Sequence, residues 1–171
     1  MLDVLYAKLD AFSARVDRVV SILLGVVVLV MFLSLMTQVV FRYLFTKALP
    51  WPEEVTMLLM AYMTFFGSSV ALRRWGHIGV DFFLNKFTGR THHALLLLIR
   101  LLTMAFCLFL LIQGSTYAFG SYNMLSDGMR IPMTYPRMAV PIGGALMLLY
   151  TVTFILKDLI NLRDGGERHG N

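Results

Sequence analysis

Apolar residues form four long runs along the chain, and short polar segments separate them. The runs cover residues 19–45, 53–72, 94–120 and 137–158. A helix needs roughly 20 apolar residues to cross a bilayer, so each run is long enough for one span. The first run exceeds this length, and we expect it to tilt or to protrude from the hydrocarbon layer. The pattern predicts an all-α integral membrane protein with four transmembrane helices in a single membrane domain.

The residues before the first run follow a different pattern. Within residues 2–17, charged side chains fall between apolar side chains that recur at spacings of three and four, namely Leu2, Leu5, Leu9, Phe12 and Val16. This spacing is typical of an amphipathic helix. Two interpretations stay open: an interfacial helix lying flat on the membrane, or a solvated helix packed against other protein. Asp3, Asp10 and Asp17 interrupt the segment, so it does not resemble a cleavable signal peptide.

The segment between the first two runs, QVVFRYLFTKALPWPEE, has its charges at defined places. Arg42 lies where the first run stops being purely apolar, and Trp51, Glu53 and Glu54 open the second. Trp favours the membrane–water boundary, and acidic side chains stabilise the positive end of a helix dipole. We also expect Arg42 to pair with Glu53 or Glu54, or with a partner subunit. If that pair is exposed, it contributes only ~0–1 kcal/mol.

A few polar and small residues lie within the runs. Gln38 is more typical of an interhelical contact than of a substrate ligand, and Gly67 allows helix backbones to approach closely. Gly143 and Gly144 could interrupt the fourth helix, although close packing is the favoured interpretation. Arg100 lies near the start of the third run, where a long side chain can extend to the membrane surface.

The segment between the second and third runs carries His77 and Asp81. One interpretation is a His–Asp hydrogen bond that braces this loop against the third helix or a partner. The other is a solvated turn with the carboxylate at a helix start. Residues 161–171, after the fourth run, are predicted to form a flexible tail.

Lys and Arg residues indicate the orientation of the spans. If both termini are cytoplasmic, the inner segments hold ten of these residues and the outer loops hold four. Cytoplasmic loops carry the excess of Lys and Arg in membrane proteins. The distribution therefore predicts cytoplasmic N- and C-termini, with the segment from Arg42 to Glu54 outside.

Composition narrows the class of protein. The chain has 171 residues, of which 58% are hydrophobic and 15% charged, whereas soluble domains are about half apolar and a quarter charged. The net charge of +5 does not indicate a nucleic-acid partner, because the charges lie between the apolar runs. The single cysteine, Cys107, provides neither a disulfide framework nor a redox pair.

Candidate chemistry is sparse. No Asp, Glu or Lys lies in the middle of an apolar run, although ion-coupled carriers usually place ionisable groups there. His77, His92, His93 and His169 lie in loops or the tail, where they could not ligate a haem between facing helices. We therefore predict no catalytic, cofactor-binding or metal-binding residues.

Taken in order, these motifs resemble the small membrane subunit, of DctQ type, of tripartite ATP-independent periplasmic (TRAP) transporters. The resemblance covers roughly residues 18–160, and Tyr135 departs from it because many relatives have Trp there. The matching pieces are Gln38–Tyr43 (QVVFRY), Trp51–Glu54 (WPEE), Gly67, Arg73–Arg74, His77–Asp81 (HIGVD), Pro132, Pro136 and Pro141–Gly143 (PIG).

The resemblance implies a non-enzymatic role in the bacterial inner membrane. TRAP systems combine a periplasmic substrate-binding protein, a large multi-span permease subunit and a small subunit. They take up organic acids, such as C4-dicarboxylates or sialic acid, with a sodium gradient. The small subunit would be a scaffold that anchors an elevator-type large subunit among membrane lipids. The alternatives are a stand-alone small carrier and the membrane anchor of a redox enzyme.

Ten residues are predicted to serve a subunit interface or the structure of the chain itself. They are Gln38, Arg42, Trp51, Glu53, Glu54, Gly67, His77, Asp81, Gly143 and Gly144.

Overall fold

Helices make up most of the chain in the computed structural model. It describes the backbone of residues 2–45, 49–75 and 90–167, and side chains within residues 3–45, 49–74 and 95–160. In chain order, the helices are α1 (Leu2–Leu44), α2 (Trp51–Trp75), α3 (Arg90–Phe119), α4 (Thr134–Arg137) and α5 (Ala139–Glu167). Four stretches are long and apolar enough to cross a membrane, and the last runs through α4 into α5. The predicted all-α fold with four spans is confirmed.

The helix α1 is one continuous element. Residues 2–17, predicted as a separate amphipathic helix, are its first part. Neither proline nor glycine occurs between residues 2 and 24, so nothing in this stretch favours a break. With a rise of 1.5 Å per residue, α1 is about 65 Å long, roughly twice the ~30 Å hydrocarbon thickness. It therefore reaches well beyond one membrane boundary or crosses the bilayer at a tilt.

Only part of the predicted apolar stripe of residues 2–17 packs on the bundle, where Val16 contacts the apolar core. Leu5 and Phe12 are exposed, whereas Ser13 is buried and Asp10 is half-buried. The reason is that polar groups on α2 and α5 bind this part of α1.

The helix α5 lies at the centre of the bundle. It packs against α1, α2 and α3, and its span is the most buried of the four. Two glycines permit this position. A Cβ atom at Gly143 would lie 2.6 Å from Cβ of Phe65, and one at Gly144 would lie 3.1 Å from Cβ of Leu110. Since α5 continues through both glycines, the close-packing interpretation is confirmed and an interruption there is wrong.

The ends of the fourth span differ from the predicted limits. The short helix α4 precedes α5, and α5 continues to Glu167. The first part of the predicted flexible tail, residues 161–167, is therefore helical.

A small apolar core joins α1, α2 and α5. Val20, Phe66 and Val70 are buried in it, and partly buried apolar side chains surround them, namely Val16, Leu24, Tyr62 and Leu146. Outside this core, large apolar side chains cover the outer faces of α1 and α3; Ile22 and Leu102, for example, are each 62% exposed. Such surfaces suit contact with lipid chains, which make no demand for polar groups.

Candidate functional site

Polar contacts between helices concentrate at the two ends of the bundle. We call the end that holds Glu54 and residues 120–133 the glutamate end. The opposite end, which holds Arg73, Arg74 and Arg100, is called the arginine end. The two ends use different kinds of contact.

At the glutamate end, one carboxylate binds the segment between α3 and α4. Glu54, in the first turn of α2, accepts hydrogen bonds from the backbone N–H groups of Gly128 and Met129 and from the hydroxyl of Ser126. The bond from Met129 N to Glu54 Oε2 is 2.7 Å long. A carboxylate with three donors fixes the segment firmly to α2, because hydrogen bonds to charged acceptors are the stronger kind.

The segment itself is a tight reversal of the chain. Met133 N donates to Met124 O at 2.8 Å, and Ser126 N donates to Ile131 O at 2.9 Å. Arg130 has a φ of 52°, which is uncommon for a residue other than glycine. A Cβ at position 128 would lie 2.9 Å from Glu54 Oε1, so the approach of the carboxylate requires glycine there.

Two further contacts hold α4 at this end. The Arg137 guanidinium lies over the Tyr117 ring, 4.3 Å from its centroid, and donates a hydrogen bond to Ser121 Oγ. The hydroxyl of Tyr62 donates to the backbone oxygen of Tyr135 at 2.7 Å. The short helix is thereby bound to both α3 and α2.

A cleft of about 540 Å³ opens beside these contacts. Val30, Met57 and Ala61 lie along its apolar wall, and Asp127 and Arg137 are among its charged lining residues. The cleft thus lies between α1, α2 and the segment that Glu54 binds.

At the arginine end, three ion pairs join helices directly. Arg73 Nη2 lies 3.2 Å from Asp10 Oδ1, and Arg74 Nη2 lies 3.7 Å from Asp17 Oδ2. Arg74 also donates to Ser21 Oγ at 2.9 Å. These contacts bind the first part of α1 to the last turns of α2.

The third ion pair joins α3 to α5 and is the most buried. Arg100 is 9% exposed, forms an ion pair with Asp158, and lies 5.2 Å from the centroid of the Phe154 ring. The expectation that Arg100 extends to the membrane surface is wrong, because a carboxylate at the same level of α5 holds it inside. Removing one partner of a buried pair leaves a charge without compensation.

Neutral polar groups extend the contacts of the arginine end. Ser13 Oγ and Thr153 Oγ1 lie 3.0 Å apart in a buried hydrogen bond between α1 and α5. The Arg73 guanidinium lies 5.4 Å from the centroid of the Tyr150 ring, and Tyr150 is fully buried. Three of the four spanning helices are therefore connected around one arginine.

Arg42 does not pair with Glu53 or Glu54 in the described chain, and its pairing with a partner subunit stays a prediction. Arg42 is exposed and forms no ion pair with any residue the structure describes. The Glu54 carboxylate is occupied by residues 126–129 instead, and Glu53 is exposed. Trp51 is the first residue of α2 and is 40% exposed.

The remaining predicted residues have different outcomes. No atom lies within 4 Å of a Cβ built at Gly67, so that glycine serves no close approach within the described chain. Gln38 is half-buried. His77 and Asp81 lie outside the described residues. Within residues 3–45, 49–74 and 95–160, no three His, Cys, Asp or Glu side chains are placed to hold a metal ion.

Sequence reasoning missed several residues that form these contacts. Asp10 and Asp17 lie before the first run, at the same predicted depth as Arg73 and Arg74 after the second. Asp158 ends the fourth run, at a depth similar to that of Arg100. Opposite charge at equal predicted depth could therefore have indicated the three ion pairs. No sequence signal indicated the donors to Glu54, because two of them are backbone N–H groups.

The family of the chain follows from comparison with known proteins. Residues 31–161 match the sequence model of the family described as "Tripartite ATP-independent periplasmic transporters, DctQ component". The chain belongs to this family. The resemblance predicted from the motifs is thus confirmed, and the family consists of transporter permease subunits, a non-enzymatic class.

The individual relatives have low sequence identity to this chain, and their names agree with the family. The chain is 28% identical to the sialic acid TRAP transporter permease protein SiaT of Haemophilus influenzae, over 82% of this chain and 22% of that protein. It is 27% identical to the C4-dicarboxylate TRAP transporter small permease protein DctQ of Vibrio cholerae, over 66% of this chain and 47% of the relative. It is 24% identical to the sialic acid TRAP transporter small permease protein SiaQ of the same species, over 65% and 64%. The chain spans less than two thirds of the length of each.

Proposed function

We propose that this chain is the small permease subunit of a sodium-coupled TRAP transporter and acts as a non-catalytic scaffold. The transported substrate would be an organic acid of the C4-dicarboxylate or sialic acid class, which are the substrates named for the relatives above. A large elevator-type permease subunit would carry the substrate across the membrane, and its moving part would slide against this fixed body.

The observation that carries the proposal is that both ends of the bundle are held by contacts between helices. Glu54 binds α2 to the segment before α4, while ion pairs bind α1 to α2 and α3 to α5. Contacts at both ends of α2 and α3 restrict how far these two helices can slide or rock relative to their neighbours. A body of this kind suits a scaffold better than a carrier, whose helices must rearrange in each transport cycle.

The distribution of charge supports the same role. In the described spans, no Asp, Glu, Lys or Arg occurs in residues 19–41, 55–72, 101–119 or 138–156, and the ion pairs lie at the arginine end. Sites for coupling ions and charged substrates in carriers usually lie near the middle of the membrane. Substrate and sodium would therefore bind to the large subunit.

The partners and location follow from the family. The SiaT relative is called a permease protein, and this chain matches only 22% of it, which supports a much larger membrane partner. A periplasmic substrate-binding protein would complete the system. We place the chain in the bacterial inner membrane with both termini in the cytoplasm, so the arginine end is cytoplasmic and the glutamate end periplasmic, in agreement with the excess of Lys and Arg in the segments assigned to the inside.

Reconstitution tests the proposal. An affinity-tagged form of the chain is purified from its native membrane in mild detergent. It is then placed in liposomes, either alone or together with the membrane protein that co-purifies with it. Succinate and sialic acid uptake are measured with and without a sodium gradient, in the presence of the periplasmic binding protein. We expect uptake only when the partner and the sodium gradient are both present. Uptake by this chain alone would contradict the scaffold role.

A further inference from the structure

We propose that one exposed face of the first part of α1 binds the headgroups of anionic phospholipids. We call it the basic face, and it consists of Lys8, Phe12, Arg15, Arg18 and Val19. The proposal concerns lipid binding by this chain itself. It rests on the proposed orientation but not on the identity of any transport partner.

From Lys8 to Arg18, the charges on α1 are sorted by sign between two faces; Asp3 lies further towards the start of the helix and is exposed. Asp10 and Asp17 face the bundle, where Arg73 and Arg74 neutralise them. Arg15, like Lys8 and Arg18 on the same side, is exposed, and none of these three bases forms an ion pair with a residue the structure describes. The acidic groups therefore offer no compensation, and the outward face carries an excess of positive charge.

The basic face combines charge with apolar side chains. Positions 8, 12, 15 and 19 recur at spacings of four, three and four, which places them on one side of a helix, and Arg18 is the i+3 neighbour of Arg15. Phe12 is 56% and Val19 57% exposed. Basic residues next to exposed apolar residues suit the boundary between headgroups and acyl chains, where both kinds of side chain find a favourable environment.

Arg15 and Arg18 lie at the depth of the boundary between lipid headgroups and acyl chains. No charged residue occurs from Val19 to Phe41, so Arg18 lies at the edge of the apolar span. Arg15 lies about 4.5 Å further along the helix axis. The headgroup layer is several Å thick on each side of the hydrocarbon, so both guanidinium groups can reach lipid phosphates. Arginine binds phosphate through two parallel hydrogen bonds, which lysine cannot do.

Lys8 lies about 15 Å beyond Arg18 along the axis. Its distance from the lipid therefore depends on the tilt of α1, and a helix of this length favours a tilt. We expect Arg15 and Arg18 to bind more strongly than Lys8. The occupant is an anionic phospholipid because the cytoplasmic leaflet carries negative charge, and basic residues beside a span bind such lipids.

Native mass spectrometry of the full chain tests this proposal. The chain is purified in detergent with equal amounts of phosphatidylglycerol and phosphatidylcholine, and the ratio of the two bound lipids is measured. We expect wild type to bind more phosphatidylglycerol than phosphatidylcholine. Each arginine removed should lower this ratio about fivefold, and R15Q/R18Q should show both losses. The variant R15K/R18K should keep part of the preference, because the charge remains.

The control is a second double variant that has the same net charge as R15Q/R18Q. R42Q/R130Q removes two exposed arginines from the other end of the bundle and should retain most of the preference. An equal loss in both double variants would mean that net charge alone attracts the lipid, and the proposal would fail. It would also fail if R15Q/R18Q kept its preference but no longer bound the large subunit, since the basic face would then be a protein interface. If the wild-type chain shows the lipid preference but supports no partner-dependent transport, only the proposed function would be contradicted.

Discussion

The two ends of this bundle use charged side chains in different ways. At the arginine end, acids and bases on different helices neutralise one another, and the pairs join α1 to α2 and α3 to α5. At the glutamate end, a single carboxylate binds the backbone of a connecting segment. The first arrangement fixes where helices lie relative to one another, whereas the second fixes the shape of a loop. We therefore expect the arginine end to govern the stability of the bundle and the glutamate end to govern the surface offered at the opposite side.

The largest effect should come from the buried pair. Arg100→Met removes the buried ion pair with Asp158 and should lower the free energy of unfolding by about 3–5 kcal/mol. The midpoint of thermal unfolding in detergent is the measurement. Arg42→Met is the matched control and should have little effect, because Arg42 is exposed and has no ion pair in the described chain. Equal effects of the two substitutions would remove the claimed difference between buried and exposed arginines.

A smaller effect is expected in the middle of the bundle, where α5 joins the two ends. Gly143→Ala places a Cβ 2.6 Å from Cβ of Phe65, and because that neighbour is close to its backbone, the helices must separate. We expect a loss of about 1–3 kcal/mol, typical of overpacking. Gly67→Ala is the control, since its Cβ would meet no atom within 4 Å. The same unfolding assay compares them, and a neutral Gly143→Ala would argue against close packing there.

A still smaller effect is expected for the partly exposed pair of the arginine end. Asp10→Asn removes the charge that binds Arg73, but the Asp10 side chain is 47% exposed, so solvent screens the interaction. We expect a loss of about 0–1 kcal/mol, and high salt should reduce it further. Arg15→Gln, at an exposed position of the same helix with no ion pair in the described chain, should change the stability little. A loss as large as that of Arg100→Met would show that exposure does not rank these pairs.

The smallest effect on global unfolding, but a clear local one, is expected at the glutamate end. Glu54→Ala removes the acceptor of three hydrogen bonds from residues 126–129. Amide hydrogen exchange should accelerate in this segment while the spans keep their protection. Glu53→Ala is the control at the neighbouring position, where the side chain is exposed. If Glu54→Ala instead lowered the unfolding midpoint as much as Arg100→Met, the proposed division of roles between the two ends would be wrong.

Some contacts could be predicted from the sequence and others could not. Glu54 was identified as a candidate from its place at the start of an apolar run, but its role was assigned to the wrong partner. The reason is that Gly128 and Met129 contribute backbone N–H groups, which every sequence contains. Arg100 was expected to reach the membrane surface, because the chain order does not place Asp158 beside it. Gly143 and Gly144 were interpreted correctly as close-packing positions, but Gly67 meets no atom within 4 Å of its Cβ position, because a small residue allows close packing only where another helix faces it.

The sequence by itself determined the number of spans, the all-α class and the family. Long charge-free runs can be buried in lipid only as helices, because a helix satisfies its own backbone hydrogen bonds, and the order of short motifs identifies the DctQ component. Only the tertiary structure decided that α1 is continuous from Leu2 to Leu44, which charges pair, and which face of α1 remains exposed. These properties depend on the rotation and depth of each helix relative to its neighbours. Packing contacts between residues far apart in the sequence determine the rotation and the depth of each helix. The apolar periodicity of one helix does not reveal those contacts.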